Sequence, residues 1–147
     1  MSLHSYSKCW IHIIFGTLNR DKVFSKQARI ALSDHFYEYS KEKNIYMKIN
    51  YINSDHAHLL IDLLTTLSVE EALQLYKGSS SYWINKSSLL KTKFRWGRGY
   101  GAFSVSASSV SRICNYISNQ EEHHKIRSFT DEYREFIEKY GVKYNIG

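Results

Sequence analysis

At 147 residues with 43% hydrophobic content, the chain is long enough for one domain with one core and too short for two ordinary ones, so 1–147 is read as a single domain. Twenty Lys and Arg against 14 Asp and Glu leave a net charge of +6, a balance that attracts anionic partners. Cys9 and Cys114 lack C-x-x-C spacing, the run CWIHIIFG is too short for a secretory core, and no apolar stretch approaches the ~18 residues of a membrane span, so a cytoplasmic protein with no disulfide framework, zinc knuckle or membrane anchor is expected.

In chain order, KCWIHIIFGT reads as a first strand, with Cys9, Ile11, Ile13 and Phe15 on one face and Trp10, His12 and Ile14 on the other. SKQARIALSDHFYEYSKEKN is a helix capped by Ser25, with Ile30, Leu32, Phe36 and Tyr37 supplying most of its apolar stripe. Two strands follow, IYMKINYI and HAHLLIDLL, joined by the turn residues Asn53, Ser54 and Asp55. A capping box, Ser68-x-x-Glu71, opens a second helix through residue 87 with a bend expected near Gly78. FRWGRGYGAFSVSA leads into a last strand at Ala102 to Ser106, followed by a third helix, SSVSRICNYISNQEEHH, and a fourth, SFTDEYREFIEKYG. The order β-α-β-β-α-β predicts an α+β chain with the split βαβ of ferredoxin-like, RRM-like folds: an antiparallel sheet, helices on one face, and extra C-terminal helices from about residue 108. On that layout the apolar face of HAHLLIDLL meets the helices, while the face with His56 and His58 is open beside Trp10 and His12.

Along a strand, His56 and His58 lie about 6.7 Å apart and point the same way, so two imidazoles can converge on one ion at ~2.1 Å from each nitrogen. Leu60 breaks the alternation on that face. For a bare H-x-H in an arbitrary sequence, the favoured reading is that each histidine makes its own hydrogen bond or faces solvent. From Ala72 to Gln120 there is no acidic residue across 49 positions, against seven basic ones that include Lys86, Lys91, Lys93, Arg95 and Arg98. Tyr76, Tyr82, Trp83, Phe94, Trp96, Tyr100 and Phe103 are interleaved with them. Cations that neutralise phosphates beside rings that stack on unpaired bases favour a single-strand binding surface over a solvated face with core aromatics. On the third helix Val110, Ile113, Cys114 and Ile117 form one arc, and Arg112, Tyr116, Asn119, Gln120 and His123 the opposite one. Tyr116 and Gln120, four apart, project together. From the helix alone Tyr116 reads as a surface or partner contact.

The stretches CWIHIIFGTLNR, DHAHLLIDL, KGSSSYWINK, FRWGRGYGAFSVS and YISNQEEHHK together resemble the single-tyrosine HUH transposases of the insertion-sequence 200/605 family over nearly the whole chain. The resemblance implies that His56 and His58 bind a divalent ion, magnesium or manganese, that Gln120 completes the ligand set, and that Tyr116 is the nucleophile. It further implies cleavage and rejoining of single-stranded DNA with hairpin ends through a 5′-phosphotyrosine, by a homodimer whose sites are shared between chains. Ala57 stands where the family's motif carries a bulky residue, a change of packing rather than ligation. Two other readings remain at this stage: a non-catalytic single-strand binder on the same sheet, and a domesticated, repeat-associated relative that cleaves without mobilising an element.

Overall fold

Residues 5–119, with Asp131 and Arg134, are described by the computed structural model. The elements are β1 (Trp10–Gly16), α1 (Lys26–Glu42), β2 (Tyr46–Ile52), β3 (His56–Asp62), α2 (Val69–Ser87), β4 (Gly101–Ser104) and α3 (Val110–Ser118), with short 3-10 turns at Leu18–Arg20 and Ala107–Ser109. The strands form one antiparallel sheet in the order β2-β3-β1-β4, which puts the first and third strands at the centre as the split βαβ requires. Of the expected fourth helix only Asp131 and Arg134 are described, both helical and exposed, and the third helix from Gln120 onward lies outside the described residues.

Local chemistry sets the helix starts. The Ser25 side chain accepts from the Ala28 N–H, and at α2 the Ser68 side chain and the Glu71 carboxylate cap each other's backbone, closing the capping box. α2 then runs through Gly78 without a break. The buried stripe of α1 is Ala28, Leu32, Phe36 and Ser40, and Ile30 is 57% exposed rather than part of it. A repeat of four defines the buried face, and Ile30 falls about 200° around the helix from Ala28.

Among the described residues, two cores flank the sheet. The larger lies under α1 and α2 and holds Ile13, Phe15, Leu32, Phe36, Leu59 and Ile61 among others. The smaller lies on the opposite face, where Leu60 and Val105 meet Ile113 and Ile117 of α3. This second core corrects the expectation of an open face: His12, His56 and His58 are buried, at 0%, 0% and 1% exposure. Leu60, the residue that broke the alternation, gives the physical reason. It supplies apolar surface on the histidine face, and the apolar arc of α3 covers it.

Candidate active site

The pairing of β1 with β3 sets Ile14 opposite His58, Gly16 opposite His56 and His12 opposite Leu60. His12 and His58 thus share a face, and their rings stack at 5.3 Å with His12 Nε2 and His58 Nδ1 3.0 Å apart. One of these nitrogens carries the proton that the other accepts. His56 donates from Nδ1 to Asp55 Oδ1 at 2.7 Å, and its Nε2 accepts from Asn53 Nδ2 at 3.1 Å. Each of the paired rings is therefore held through Nδ1, so Nε2 is the atom each would offer to an ion, the arrangement in which an outer partner fixes tautomer and ring direction. The His56 and His58 centroids are 5.0 Å apart. Two imidazoles sharing one ion at ~2.1 Å have centroids about 5 Å apart at ordinary ligand angles, so the pair fits. The Asn53 amide would have to release His56 Nε2. Among the described residues no three His, Cys, Asp or Glu side chains form an ion cage, and the remaining expected ligand, Gln120, lies outside the described residues.

Tyr116 arrives from α3. With Ile113 and Ile117 seated on Leu60 and Val105, the half-buried Tyr116 borders the second core, and its ring stands edge-on to His58 with centroids 6.2 Å apart. Tyr116 and His58 are thus brought together within one chain. Arg112 and Asn119 of the same polar arc are exposed, and His123 lies outside the described residues.

The acid-free stretch divides. Lys86 in the last turn of α2, and Lys91, Lys93, Arg95 and Arg98 in the loop before β4, are all exposed. Lys77 is different: its ammonium donates to the carbonyls of Gly97, Arg98 and Gly99 at 2.9, 3.3 and 3.1 Å. Burial pulls the Lys77 pKa below the usual lysine value, while those three carbonyls hold the proton. The aromatic half of the expectation is corrected. Tyr76, Phe94, Trp96 and Phe103 are buried, Trp96 donates to Ser80 Oγ, and Tyr76 is pushed up to about 12 by burial; only Tyr82 and Tyr100 of the seven are exposed, with Trp83 between. Composition cannot tell a stacking ring from a core ring. By sequence His12 is only a neighbour of the pair and Asn53 and Asp55 only turn residues, although the Asp directly before the first histidine is a readable sign of an orienting carboxylate.

A family model described as "Transposase IS200 like" matches residues 5–120. The chain belongs to this family of IS200-like transposases. Two similar proteins are the transposases for insertion sequence element IS200 of Salmonella typhimurium strain LT2 and Salmonella typhi, each 28% identical over 128 residues that cover 84% of both chains. Among solved structures, a protein of Deinococcus radiodurans named as a transposase superposes with a TM-score of 0.66 at 21% identity, covering 82% of this chain and 96% of its own. A REP-associated tyrosine transposase bound to a REP hairpin gives 0.58 at 12% identity, covering 84% and 74%. Both share the fold of this IS200-like chain, the α+β antiparallel sheet expected from the sequence.

Proposed function

We propose that the chain cleaves and rejoins single-stranded DNA at hairpin-bearing ends by transesterification, with Tyr116 as nucleophile and His56, His58 and Gln120 as ligands of magnesium or manganese. The observation that supports this reading best is the approach of the Tyr116 ring to His58, 6.2 Å between centroids, beside a histidine pair whose Nδ1 atoms are both already engaged. When bound, the ion would polarise a non-bridging oxygen of the scissile phosphate as a Lewis acid. Asp55 and His12 hold the two imidazoles in place, and α3 sets the Tyr116 ring edge-on to His58. Tyr116 Oη forms a bond to phosphorus as the P–O3′ bond breaks; the phenolic proton passes to water and the departing 3′ oxygen takes one up. The products are a 5′-phosphotyrosine and a free 3′-hydroxyl, and attack by a 3′-hydroxyl on the phosphotyrosine reverses the step on another strand.

The exposed Lys86, Lys91, Lys93, Arg95 and Arg98 would neutralise backbone phosphates. The free Cys9 and Cys114 suit a reducing cytoplasm, and among the described residues no helix is long and apolar enough to cross a membrane.

The sharing of sites between two chains is part of the proposal and has its own test. In such a homodimer α3 would exchange its seat on Leu60 and Val105 for the same seat on a second copy, keeping every apolar contact it makes here. A single-stranded hairpin incubated with manganese should give a denaturant-resistant adduct that Tyr116→Phe abolishes while binding persists. An adduct from the Phe variant refutes the nucleophile. Co-expressed His56→Ala and Tyr116→Phe chains recover partial cleavage in mixed dimers if sites are shared, and verified mixed dimers that stay inactive assign the site to one chain.

A further inference from the structure

Beyond its last strand residue β1 continues beside the α2–β4 loop: Gly97 donates to the Gly16 carbonyl at 2.9 Å, Leu18 donates to the Arg95 carbonyl at 3.2 Å, and Thr17 bridges Trp96. Alternation places Ile14 and Gly16 on the face of His12 and the histidine pair, and Gly16 stands directly opposite His56. The position next to His56 on that face therefore carries no side chain of its own, as where a ligand or another group approaches the backbone closely. Something does approach it. The chain turns back at Asn19 and Arg20, two non-glycine residues at φ 58° and 59°, and Thr17 Oγ1 donates to the Asp21 carbonyl across the turn at 2.7 Å. The turn folds the Arg20 guanidinium onto Gly16, where a Cβ would overlap it. Backbone held in a rare region to set one cation beside a reactive pair is the kind of strain found at functional sites.

Gly97 to Tyr100 form the facing wall. Three successive carbonyls of that wall are turned toward the Lys77 ammonium, so the loop is fixed, and a Cβ at Gly99 would meet nothing within 4 Å. Between the walls is a cavity of about 350 Å³ lined by Leu18, Asn19, Arg20, Arg98 and Tyr100, with no carboxylate among the described lining residues. That volume is at the small end of the ~300–1,000 Å³ typical of small-molecule sites, room for one nucleotide.

We propose that this cavity binds a single unpaired nucleotide of the DNA strand next to the scissile phosphate, its phosphate on Arg20 and Arg98 and its base against Tyr100 and Leu18. The inference rests on the reading of the histidine site given above. Guanidinium forks match a phosphate in two-point geometry, and a tyrosine face stacks on any base, so the cavity fixes the strand without demanding a particular sequence. Arg20 is the member nearest the chemistry, since Gly16 and His56 are cross-strand partners.

The test uses the full chain with Tyr116→Phe, which removes chemistry, and a fluorescent thymidine hexanucleotide as probe. Amide shifts on titration should centre on Gly16, Gly99 and Tyr100. Arg20→Gln should lower affinity and flatten the salt dependence by about 0.7 of a log unit, one lost phosphate contact. Gly16→Ala, which leaves the net charge untouched and only displaces the Arg20 guanidinium, should weaken binding in the same direction. Tyr100→Leu should cost about tenfold, the loss of one stacked base. Gly78→Ala, on the exposed side of α2, serves as the control and should bind as the parent does. Shifts that leave Gly16 and Gly99 unmoved, or unchanged affinity in both Gly16→Ala and Arg20→Gln with native spectra, overturn the proposal. An unsubstituted chain that forms no adduct refutes the catalytic reading instead, and the hexanucleotide result is read independently of it.

Discussion

Replacing Leu60 by Ala tests how Tyr116 is held. Leu60 is fully buried and belongs to a small core whose buried members, among the described residues, are Leu60, Val105, Ile113 and Ile117. Leu→Ala at such a position costs about 2–5 kcal/mol from lost transfer energy and the cavity left behind. Here the loss falls on one element. α3 has nine residues, below the ~12–15 at which an isolated helix becomes even marginal in water, so its stability comes from the seat that Leu60 provides. We expect about 3 kcal/mol in urea unfolding, accelerated hydrogen exchange at Ile113 and Ile117, and a drop in tyrosine adduct under conditions where the sheet stays folded. Leu59→Ala is the matched control: Leu59 is just as buried but faces α1 and α2, so it should lower global stability similarly while leaving α3 no more mobile than the rest of the chain. A Leu60→Ala protein within about 1 kcal/mol of the parent, or one whose α3 exchange matches that of Leu59→Ala, refutes the view that this residue seats the helix.

Asp55→Asn removes the carboxylate that accepts from His56 Nδ1, and manganese affinity measured by calorimetry should fall about 10–100-fold, an undiminished affinity placing ion binding elsewhere. Burial, opposed in part by Glu42, lowers the pKa of His35 from 6.5, so below pH 6.5 the unfolded chain binds the extra proton and stability falls as pH falls. His35→Phe, which can keep the stack on Trp83, should flatten that acid limb of the urea midpoint against pH, and an unaltered limb would exclude His35 as its source. Neutralising Lys91, Lys93 and Arg95 together should flatten the salt dependence of single-strand binding by about 0.7 of a log unit per lost contact, whereas an unchanged slope returns them to a solvated face.

What could be read in advance was local. Ser25 and the Ser68–Glu71 box announce their helices within four residues, and strand alternation sorted Ile13, Phe15, Leu59 and Ile61 onto the large core correctly. The histidine pair stands out by its spacing and Tyr116 is named through resemblance, and the fold brings Tyr116 and His58 together. What stayed hidden was set by distant pairing. The layout already set His12, 46 positions away, beside His58, but that their rings share a hydrogen bond follows only from the register of β1 with β3. The exposed Ile30 and the buried Phe94 and Trp96 are the same kind of case, because hydrophobicity says a side chain prefers burial but not whether a partner surface lies within reach.

Leu60 joins these lines. On β3 the residues two apart on one face are about 6.7 Å from each other, so His56, His58 and Leu60 form a single row in which the first two are the proposed ion ligands and the third is the anchor of α3. A helix that docks by its apolar arc on the anchor has no choice about where its next face falls, and in α3 that face carries Tyr116. Tyr116 is therefore positioned relative to the histidines by the strand itself and not by a loop. The same row would guide α3 equally well if the helix came from a second copy, because the anchor and the histidine pair belong to one strand in either arrangement. Mixed chains carrying one defect each therefore decide between the two arrangements: restored cleavage means that α3 serves its partner's histidines, and its absence in verified mixed dimers means that it serves its own.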